Sequence, residues 1–298
     1  MKLTQVKGNT YVFEGWELIP LYKTDDTHCI LMDTGLTKEC IPLDEALAEN
    51  GLTPIGIFGS HTHSDHSANH AYFQKKYGIP VAMPIGEAGL CVNVQALKSY
   101  FHIYSIETAR GIVGNMALDT DVLIGHEDGP FEFMGVTFEV IHTPGHSPDH
   151  ISVVTPDGVC YVGDALLSGK MLDAKMPHNF SHQDALDTYT RLGELNYETY
   201  ILAHRGIFTD LTELVEVNRQ LILDRADMVY SLVDKPMNMS EIQLAVAAHF
   251  HFSTSKPLKA AMIEHNTQAY VEYLIDRGDL EAISQSGIRY YQRTAQES

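Results

Sequence analysis

The sequence predicts an α+β fold: a two-sheet core with helices on both outer faces, followed by a small, mostly helical C-terminal domain. Two observations support this prediction. Two β-rich stretches each end in a helical pattern, and beyond about residue 210 three helical patterns follow one another. The chain has 298 residues, of which 44% are hydrophobic and 20% charged, so it is globular and long enough to bury a sizeable core.

The first β-rich stretch contains short apolar runs that are bounded by turn-forming residues. These runs predict strands at residues 10–15, 28–36 and 55–60, and another at 79–84. Between the last two, residues 68–77 predict a helix that ends at Gly78, because glycine readily adopts the left-handed conformation that terminates helices. Residues 85–127 mix helical spacing with aromatic residues and methionine. They predict a pair of covering helices, with a flap over a substrate cleft as the alternative.

The second β-rich stretch predicts strands at residues 129–146, 151–166 and 197–206. Residues 181–195 have helical periodicity. The C-terminal part predicts three helices and a closing hairpin with Gly287 near its turn, which is a winged-helix-like arrangement. We therefore divide the chain into a larger domain of residues 1–210 and a winged-helix-like domain of residues 211–298.

Acidic residues outnumber basic ones: 39 Asp and Glu against 20 Lys and Arg give a formal net charge of −19. This balance disfavours binding to nucleic-acid phosphates or to an anionic membrane, because both need a basic surface. The sequence contains no run of about 18 uncharged apolar residues, so it predicts no membrane span. The polar N-terminus does not resemble a secretion signal, and the 4 cysteines show no C-x-x-C spacing. These features predict a cytoplasmic protein with reduced thiols.

Histidines are concentrated in one segment. Residues 61–70 contain 4 of the 16 histidines, and a motif H-x-H-x-D-H begins at His61. His61 and His63 are two residues apart in an extended stretch, so their rings point to the same side and can share one metal ion. Asp65 and His66 follow at the turn into a helix and suit a second, neighbouring ion. Imidazole and carboxylate ligands suit zinc, with iron or manganese as alternatives.

Two ions need more ligands than one motif supplies, and three candidates lie downstream at the ends of predicted strands: His146, Asp164 and His204. Together with the motif they give five histidines and two aspartates, which is three ligands for each ion and one carboxylate to bridge them. A single His or Asp at a strand end is usually only a turn residue. Their repetition behind an H-x-H-x-D-H motif favours metal ligands.

These motifs resemble those of the metallo-β-lactamase-fold hydrolases. The matching segments are SHTHSDH, HTPGHS, GDAL and AHRG, in that order, with LMDTGL upstream, and they span about residues 5 to 210. The resemblance implies an αββα sandwich with a dimetal site at one edge of the sheets. It assigns the ligands as follows: His61, His63 and His146 to the first ion, Asp65, His66 and His204 to the second, and Asp164 as the bridge. Asp33 resembles the family's aspartate that lies behind the ligands.

All seven of these ligands are His or Asp, as in glyoxalase II-like (hydroxyacylglutathione) hydrolases and in several phosphodiesterase and nuclease branches. A penicillin-hydrolysing role is therefore disfavoured. The C-terminal segment resembles the tail of a β-lactamase-like subgroup that includes an endoribonuclease. The basic pattern with which glyoxalase II binds glutathione is not found near the C-terminus.

We therefore predict a dinuclear metal-dependent hydrolase in which a metal-bridging hydroxide attacks a small-molecule ester, thioester or lactone. Asp65 is predicted to orient that hydroxide as well as to bind metal. Arg205 and His150 are candidate substrate contacts, with a surface salt bridge as the equal alternative for Arg205. The alternative function is a metal-dependent nuclease or phosphodiesterase that acts on RNA or another phosphodiester.

Charge distinguishes these two functions. Residues 207–298 carry 8 basic and 13 acidic residues, and residues 1–206 carry 12 and 26, so both parts are acidic. Because neither has a basic stripe, we predict a small-molecule substrate and no nucleic-acid or membrane partner. The C-terminal domain is interpreted as forming a homodimer or covering the active site.

Three further histidines have weaker assignments. One alternative for His178 and His182 is that they line the cleft, and His265 is interpreted as a surface or packing residue.

Overall fold

The computed structural model describes residues 1–204, 206–252 and 255–295, and within them the chain forms two large sheets and one small one. The first sheet has seven strands that are adjacent in chain order: β1 (Lys2–Lys7), β2 (Thr10–Glu14), β3 (Leu18–Lys23), β4 (His28–Met32), β5 (Thr53–Phe58), β6 (Val81–Pro84) and β7 (Val122–Ile124). Strands β1 to β4 pair antiparallel, and strands β4 to β7 pair in parallel.

The second sheet has six strands, again adjacent in chain order: β8 (Gly129–Phe133), β9 (Val136–His142), β10 (Ile151–Val154), β11 (Val159–Gly163), β12 (Thr199–Leu202) and β13 (Gly206–Phe208). Its neighbours pair antiparallel except β11 and β12, which are parallel. A parallel pair needs a crossover connection, and a helix provides it here.

The helices fall into three groups along the chain. The first group is interspersed with the first sheet: α1 (Cys40–Glu49), α2 (Ser64–Ser67), α3 (His70–Tyr77), α4 (Ile85–Cys91), α5 (Val94–Tyr100) and α6 (Ile106–Val113). The crossover between β11 and β12 contains α7 (His182–Glu194). The C-terminal group ends in a hairpin: α8 (Thr212–Leu232), α9 (Met239–His249), α10 (Pro257–Asp276), β14 (Leu280–Gln285) and β15 (Ile288–Arg293).

Aromatic side chains fill the space between the two large sheets. Phe58 of β5 meets Phe131, Phe133 and Phe138 of the second sheet edge to face, with ring centroids between 5.1 and 5.7 Å apart. This edge-to-face geometry is the one that aromatic rings prefer. The two sheets therefore share one core, which holds their edges in a fixed relation.

Each sheet buries its other face beneath helices. Strand β11 shows why, because its sequence is apolar throughout: Tyr161 faces the core between the sheets, whereas Cys160 and Val162 pack with α7 and the C-terminal helices. On the first sheet, Leu31 packs in a core with Phe73 of α3 and with residues of α1 and α4 to α6. Helix, sheet, sheet and helix thus form four layers.

The mixed α+β fold is confirmed. The predicted helix at 68–77 is α3, and it ends at Gly78 in the left-handed conformation with φ of 65°. Three helices and a hairpin turning at Gly287 follow Leu211, as the sequence predicts. The C-terminal helices share a core with the outer face of the second sheet. The winged-helix character and the division at residue 210 stay predictions.

Several elements differ from the sequence prediction. Residues 85–127 contain three α-helices and the edge strand β7 instead of a pair of helices. Strands β1 and β3 and helix α1 were not predicted. Pro20 interrupts the apolar pattern of β3, so its local signal is weak, whereas Pro42 lies in the first turn of α1, where proline is compatible with a helix. Their pairing and packing partners stabilise these elements instead.

The described helices include none that is long and apolar enough to cross a membrane. All four cysteines carry free thiols, as predicted: Cys29, Cys91 and Cys160 are buried and Cys40 is half-buried. Burial raises the pKa of the Cys91 thiol to about 11, which keeps it protonated and unreactive at neutral pH.

The loop after β9 is packed tightly against α7, and this packing predicts the effect of a glycine substitution. Gly145 has φ of 126°, and a Cβ there would overlap the backbone of Ala185. We expect Gly145→Ala to lower the free energy of unfolding by about 3 kcal/mol or more, measured by urea denaturation. Gly158→Ala is the matched control: Gly158 also has positive φ, 72°, but no atom lies within 4 Å of the added Cβ. Gly158→Ala should lower the free energy of unfolding by about 1 kcal/mol. Equal losses in the two variants would contradict the packing argument.

Candidate metal centre

The seven predicted ligands follow the ends of four strands, and the fold brings them together. The loop and short helix after β5 contain four of them, and the loops after β9, β11 and β12 contain one each: His61, His63, Asp65 and His66, then His146, Asp164 and His204. Both sheets contribute, so the shared aromatic core between the sheets fixes the distance between the contributing loops.

Three histidines form what we call the first half-site: His61, His63 and His146. One ring nitrogen from each lies within 4.8 Å of the others. His63 Nδ1 is 2.8 Å from His146 Nε2, and His63 Nε2 is 2.9 Å from the hydroxyl of Tyr100. Burial lowers the pKa of all three rings well below the usual value, so they are neutral and each has a lone pair to offer.

The tautomer of His61 follows from its hydrogen bonds. Ser60 Oγ donates its only hydrogen to Asp33 Oδ2 at 2.6 Å, so the same oxygen accepts a hydrogen from His61 Nδ1 at 2.9 Å. The lone pair is therefore on His61 Nε2. This atom is buried and has no hydrogen-bond partner within the described residues. A buried lone pair without a donor fits a metal ligand.

Three further residues form the second half-site: Asp65, His66 and His204. His66 Nδ1 donates to Asp33 Oδ2 at 2.9 Å, which directs Nε2 toward the other two residues. His204 Nε2 is 3.5 Å from Asp65 Oδ2. Glu17, which the sequence analysis did not single out, also lies here, and its Oε2 is 3.2 Å from His66 Nε2. One possible ligand atom from each of these four residues lies within 4.8 Å of the others.

A single carboxylate oxygen lies between the two half-sites. Asp164 Oδ2 is 3.1 Å from His204 Nε2, 3.3 Å from His66 Nε2 and 3.5 Å from His146 Nε2. Burial opposes the charge of Asp164, but His66 and His204 outweigh burial and hold the pKa of this carboxyl well below its usual value. Asp164 is therefore an anion in contact with residues of both half-sites.

The two half-sites differ in their protonation. Burial opposes the charge on His66, but the carboxylates of Glu17 and Asp164 outweigh burial and raise the pKa of this ring well above its usual value. His66 consequently holds a proton at neutral pH in the metal-free protein, unlike the histidines of the first half-site. A cation that binds at the second half-site has to displace that proton.

Residues of both half-sites line a cavity of about 440 Å³. Other lining residues come from the 85–127 segment and the C-terminal helices, for which the sequence analysis gave a cover over the site as one alternative: Tyr100 and Phe101 at the end of α5, and Met262 of α10. Single residues in helical patterns gave no signal that could have identified them. The structure therefore places both the 85–127 segment and the C-terminal helices over the site.

The position of the cavity decides between the alternative interpretations of three histidines. His178 lines it, and its Nδ1 is 2.9 Å from Asn266 Oδ1 of α10. His265 also lines the cavity, with its ring centroid 5.1 Å from that of His178, so it is not simply a surface residue. His182 instead packs on Tyr270, with ring centroids 3.8 Å apart, inside the core.

The two predicted substrate contacts have different outcomes. His150 is buried and is not among the described residues that line the cavity. Its Nε2 accepts the backbone N–H of Asp164 at 3.2 Å, and its Nδ1 is 2.8 Å from Thr143 Oγ1. His150 comes just before β10, and its side chain lies behind the loop that contains Asp164. Its hydrogen bond to the Asp164 backbone therefore positions that loop. Arg205 lies outside the described residues.

The raised pKa of His66 predicts how the stability of the metal-free protein depends on pH. Above about pH 7 the unfolded chain has neutral histidines, whereas the folded protein keeps a proton on His66, so stability falls as pH rises. We expect the melting temperature of chelator-treated protein to fall between about pH 7 and pH 8.5. His66→Gln should show a smaller decline, because it lacks this proton. A constant melting temperature in the parent protein would contradict the protonation argument.

Comparison with known proteins shows a consistent set of relatives. The chain is 27% identical over 190 residues to the probable metallo-hydrolase YqgX of Bacillus subtilis (strain 168), which covers 63% of this chain and 85% of that one. It is 28% identical over 209 residues to an atrochrysone carboxyl ACP thioesterase of Aspergillus chevalieri, covering 68% and 56%. It is 26% identical over 189 residues to a hydroxyacylglutathione hydrolase of Xanthomonas euvesicatoria, covering 62% and 58%. The match thus spans little more than half of the latter two proteins.

A solved structure shows the same fold, and a sequence family model identifies the family. The fold is similar to that of a metallo-beta-lactamase family protein from Thermus thermophilus, with a TM-score of 0.72, 21% identity and coverage of 93% of this chain and 94% of that one. A family model described as the metallo-beta-lactamase superfamily matches residues 4–204, which contain all seven predicted ligands. This chain belongs to the metallo-beta-lactamase superfamily.

Proposed function

We propose that the protein is a dinuclear metal-dependent hydrolase of small-molecule esters or thioesters. In this proposal the two half-sites hold one divalent cation each, and Asp164 bridges them. The observation that supports it most is the position of Asp164 Oδ2, within 3.5 Å of histidine nitrogens from both half-sites. One shared oxygen next to both half-sites is the arrangement that a two-metal centre requires.

The donor set fits divalent metal ions. His61 Nε2 is a buried nitrogen without a hydrogen-bond partner in the described part of the chain, and His66 Nε2 faces the carboxylates of Glu17 and Asp164. Imidazole and carboxylate donors suit zinc, and we propose zinc as one native ion, with iron or manganese as the alternatives. Two such cations would supply an activated water and would polarise the carbonyl of a substrate.

The side chains around the centre have separate tasks in this proposal. Asp65 is half-buried and lines the cavity, so its carboxylate can orient the attacking water and accept its proton. Asp33 accepts hydrogen bonds from His66 and Ser60, and through Ser60 it also fixes the ring of His61. His63 Nε2 lies 2.9 Å from the hydroxyl of Tyr100, and its Nδ1 faces His146 in the first half-site.

The cavity favours a substrate with an uncharged, apolar acyl group. Its wall includes five apolar side chains: Phe101, Leu167, Met171, Met176 and Met262. No Lys or Arg is among its lining residues within the described part of the chain. The names of two relatives, an ACP thioesterase and a hydroxyacylglutathione hydrolase, add support for a thioester. A nuclease or phosphodiesterase activity has less support, because phosphate recognition uses cationic side chains.

We propose a cytoplasmic location as well. The four free thiols support it, because such thiols persist in a reducing compartment. Formation of a homodimer stays a prediction from the sequence.

Removal of a proposed ligand should abolish metal binding and turnover together. We expect Asp164→Ala to lose at least one of two bound metal ions and to lower kcat/KM for a thioester by at least ~10³-fold, because both half-sites lose a shared anion. Metal content is measured by mass spectrometry on the same samples. His142→Ala is the control, since His142 ends β9 just before the loop that contains His146, but its Nδ1 bonds with Asp128 at 3.0 Å, away from the site. Full turnover by a metal-free Asp164→Ala protein would refute the proposal.

The apolar wall predicts a dependence on acyl-chain length. Each methylene buried is worth about 0.8 kcal/mol, so kcat/KM should rise up to ~4-fold per methylene from acetyl to hexanoyl thioesters. Met262→Asp should reduce this rise, because it places a charge on the wall. Leu244→Asp is the matched control, since Leu244 is an exposed residue of α9 that is not among the described lining residues. A flat series in the parent enzyme would refute the apolar acyl class and leave the metal centre intact.

A further inference from the structure

Glu17 is a buried acid for which the fold provides no hydrogen bond. It lies between β2 and β3, its side chain is completely buried, and neither Oε1 nor Oε2 has a hydrogen-bond partner within the described residues. Buried carboxylates are normally hydrogen-bonded or paired, because burial of a charge is costly. Within the described residues its only charged contact is the ring of His66, whose Nε2 is 3.2 Å from Oε2, and His66 is itself a proposed metal ligand.

The backbone ties Glu17 to the second half-site. Leu18 N donates to Ala203 O at 2.7 Å, which places Glu17 and His204 on adjacent, hydrogen-bonded segments of the two sheets. The contact holds the Glu17 carboxylate beside the imidazole of His66. Its place is thus set by sheet-to-sheet packing, in the same way as the places of the predicted ligands.

The spacing of the atoms is that of ligands on a common ion. Two donors about 2.1 Å from one cation, and 90–110° apart, are about 3.0–3.4 Å from each other. Glu17 Oε2 is 3.2 Å from His66 Nε2, and Asp164 Oδ2 is 3.3 Å from the same nitrogen. Glu17 therefore stands in the same relation to His66 as the proposed bridging ligand does.

Charge distinguishes a metal ligand from a simple ion pair. Four carboxylates surround His66 in this part of the site: Glu17, Asp33, Asp65 and Asp164. Within the described residues, the basic side chains paired with these four carboxylates are His66, His204 and the neutral His146, and none is Lys or Arg. Burial raises the pKa of the Glu17 carboxyl well above its usual value, so its anion needs a cation beside it. A divalent cation at the second half-site would supply that charge.

We propose that Glu17 is an additional carboxylate ligand of the second half-site, which makes that half-site prefer Mn²⁺ or Fe²⁺ over Zn²⁺. With Glu17, the second half-site offers three carboxylates and two imidazoles, counting Asp164, whereas the first offers three imidazoles and Asp164. Oxygen-rich sets suit manganese, and imidazole-rich sets suit zinc. The proposal rests on the proposed dinuclear centre, and it adds a residue and a metal preference to it.

The experiment compares metal binding by chelator-treated, full-length proteins. Mn²⁺ and Zn²⁺ are titrated separately by calorimetry, and Mn²⁺ also by electron paramagnetic resonance, into the parent protein and Glu17→Gln. We expect Glu17→Gln to lower the affinity for the second equivalent of Mn²⁺ by at least ~10-fold, and the affinity for the second equivalent of Zn²⁺ by less. The first equivalent should change by no more than ~2-fold. Glu17→Asp keeps the carboxylate but shortens the side chain. Its affinity for the second Mn²⁺ should lie between those of the parent protein and Glu17→Gln.

Glu39→Gln is the matched control. Glu39 is also a buried glutamate near the β2–β3 connection, but its carboxylate accepts the backbone N–H groups of Trp16 and Leu36. Its substitution should lower the melting temperature of the metal-free protein and leave both titrations unchanged. Glu17→Gln should maintain or raise that melting temperature, because burial disfavours the charged form of Glu17 and Gln cannot ionise.

The outcomes separate this inference from the proposed function. If the parent protein binds fewer than two ions, both proposals are overturned. If the parent binds two ions and Glu17→Gln binds the second Mn²⁺ with unchanged affinity, only the role of Glu17 is overturned. Loss of metal-free stability in Glu17→Gln with unaltered titrations would show a structural carboxylate and would also overturn it.

Discussion

The site depends on the carboxylate of Asp33. Its Oδ2 accepts hydrogen bonds from Ser60 Oγ, His66 Nδ1 and the hydroxyl of Tyr161, and its Oδ1 accepts from the Ser60 backbone N–H. These donors follow β5 or lie on β11, so one buried anion connects the two sheets at the edge where the ligands meet. It also fixes the orientation of two rings, directly for His66 and through Ser60 for His61. Loss of this carboxylate would release both half-sites at once.

A second constraint is the excess of negative charge at the second half-site. Three histidines of the first half-site are neutral because burial lowers the pKa of each, whereas His66 is held in its charged form by neighbouring carboxylates. The fold thus assembles unlike environments side by side from similar residue types. Part of the formal charge of −19 is consequently a property of the site and not only of the surface.

Much of the site could be predicted because its signals are local. The H-x-H-x-D-H spacing and the position of His146, Asp164 and His204 at strand ends are visible in the sequence, and the fold brings all seven residues together. The αββα layers were predictable for a similar reason, since apolar runs and helical periodicity are properties of short segments. Strand β3 was not, because Pro20 weakens its local pattern and pairing with β2 and β4 forms it.

The sequence by itself determined which residues could bind metal and in what kind of layered fold, because spacing and periodicity encode both. Only the tertiary structure decided the role of residues whose neighbours are distant in the chain. It placed His150 behind Asp164 instead of in the cavity, put Met262 of α10 on the cavity wall, and buried Glu17 beside His66. The burial and the direction of a side chain depend on what packs against it. A single glutamate, methionine or histidine belongs to no sequence pattern that predicts its burial or its direction.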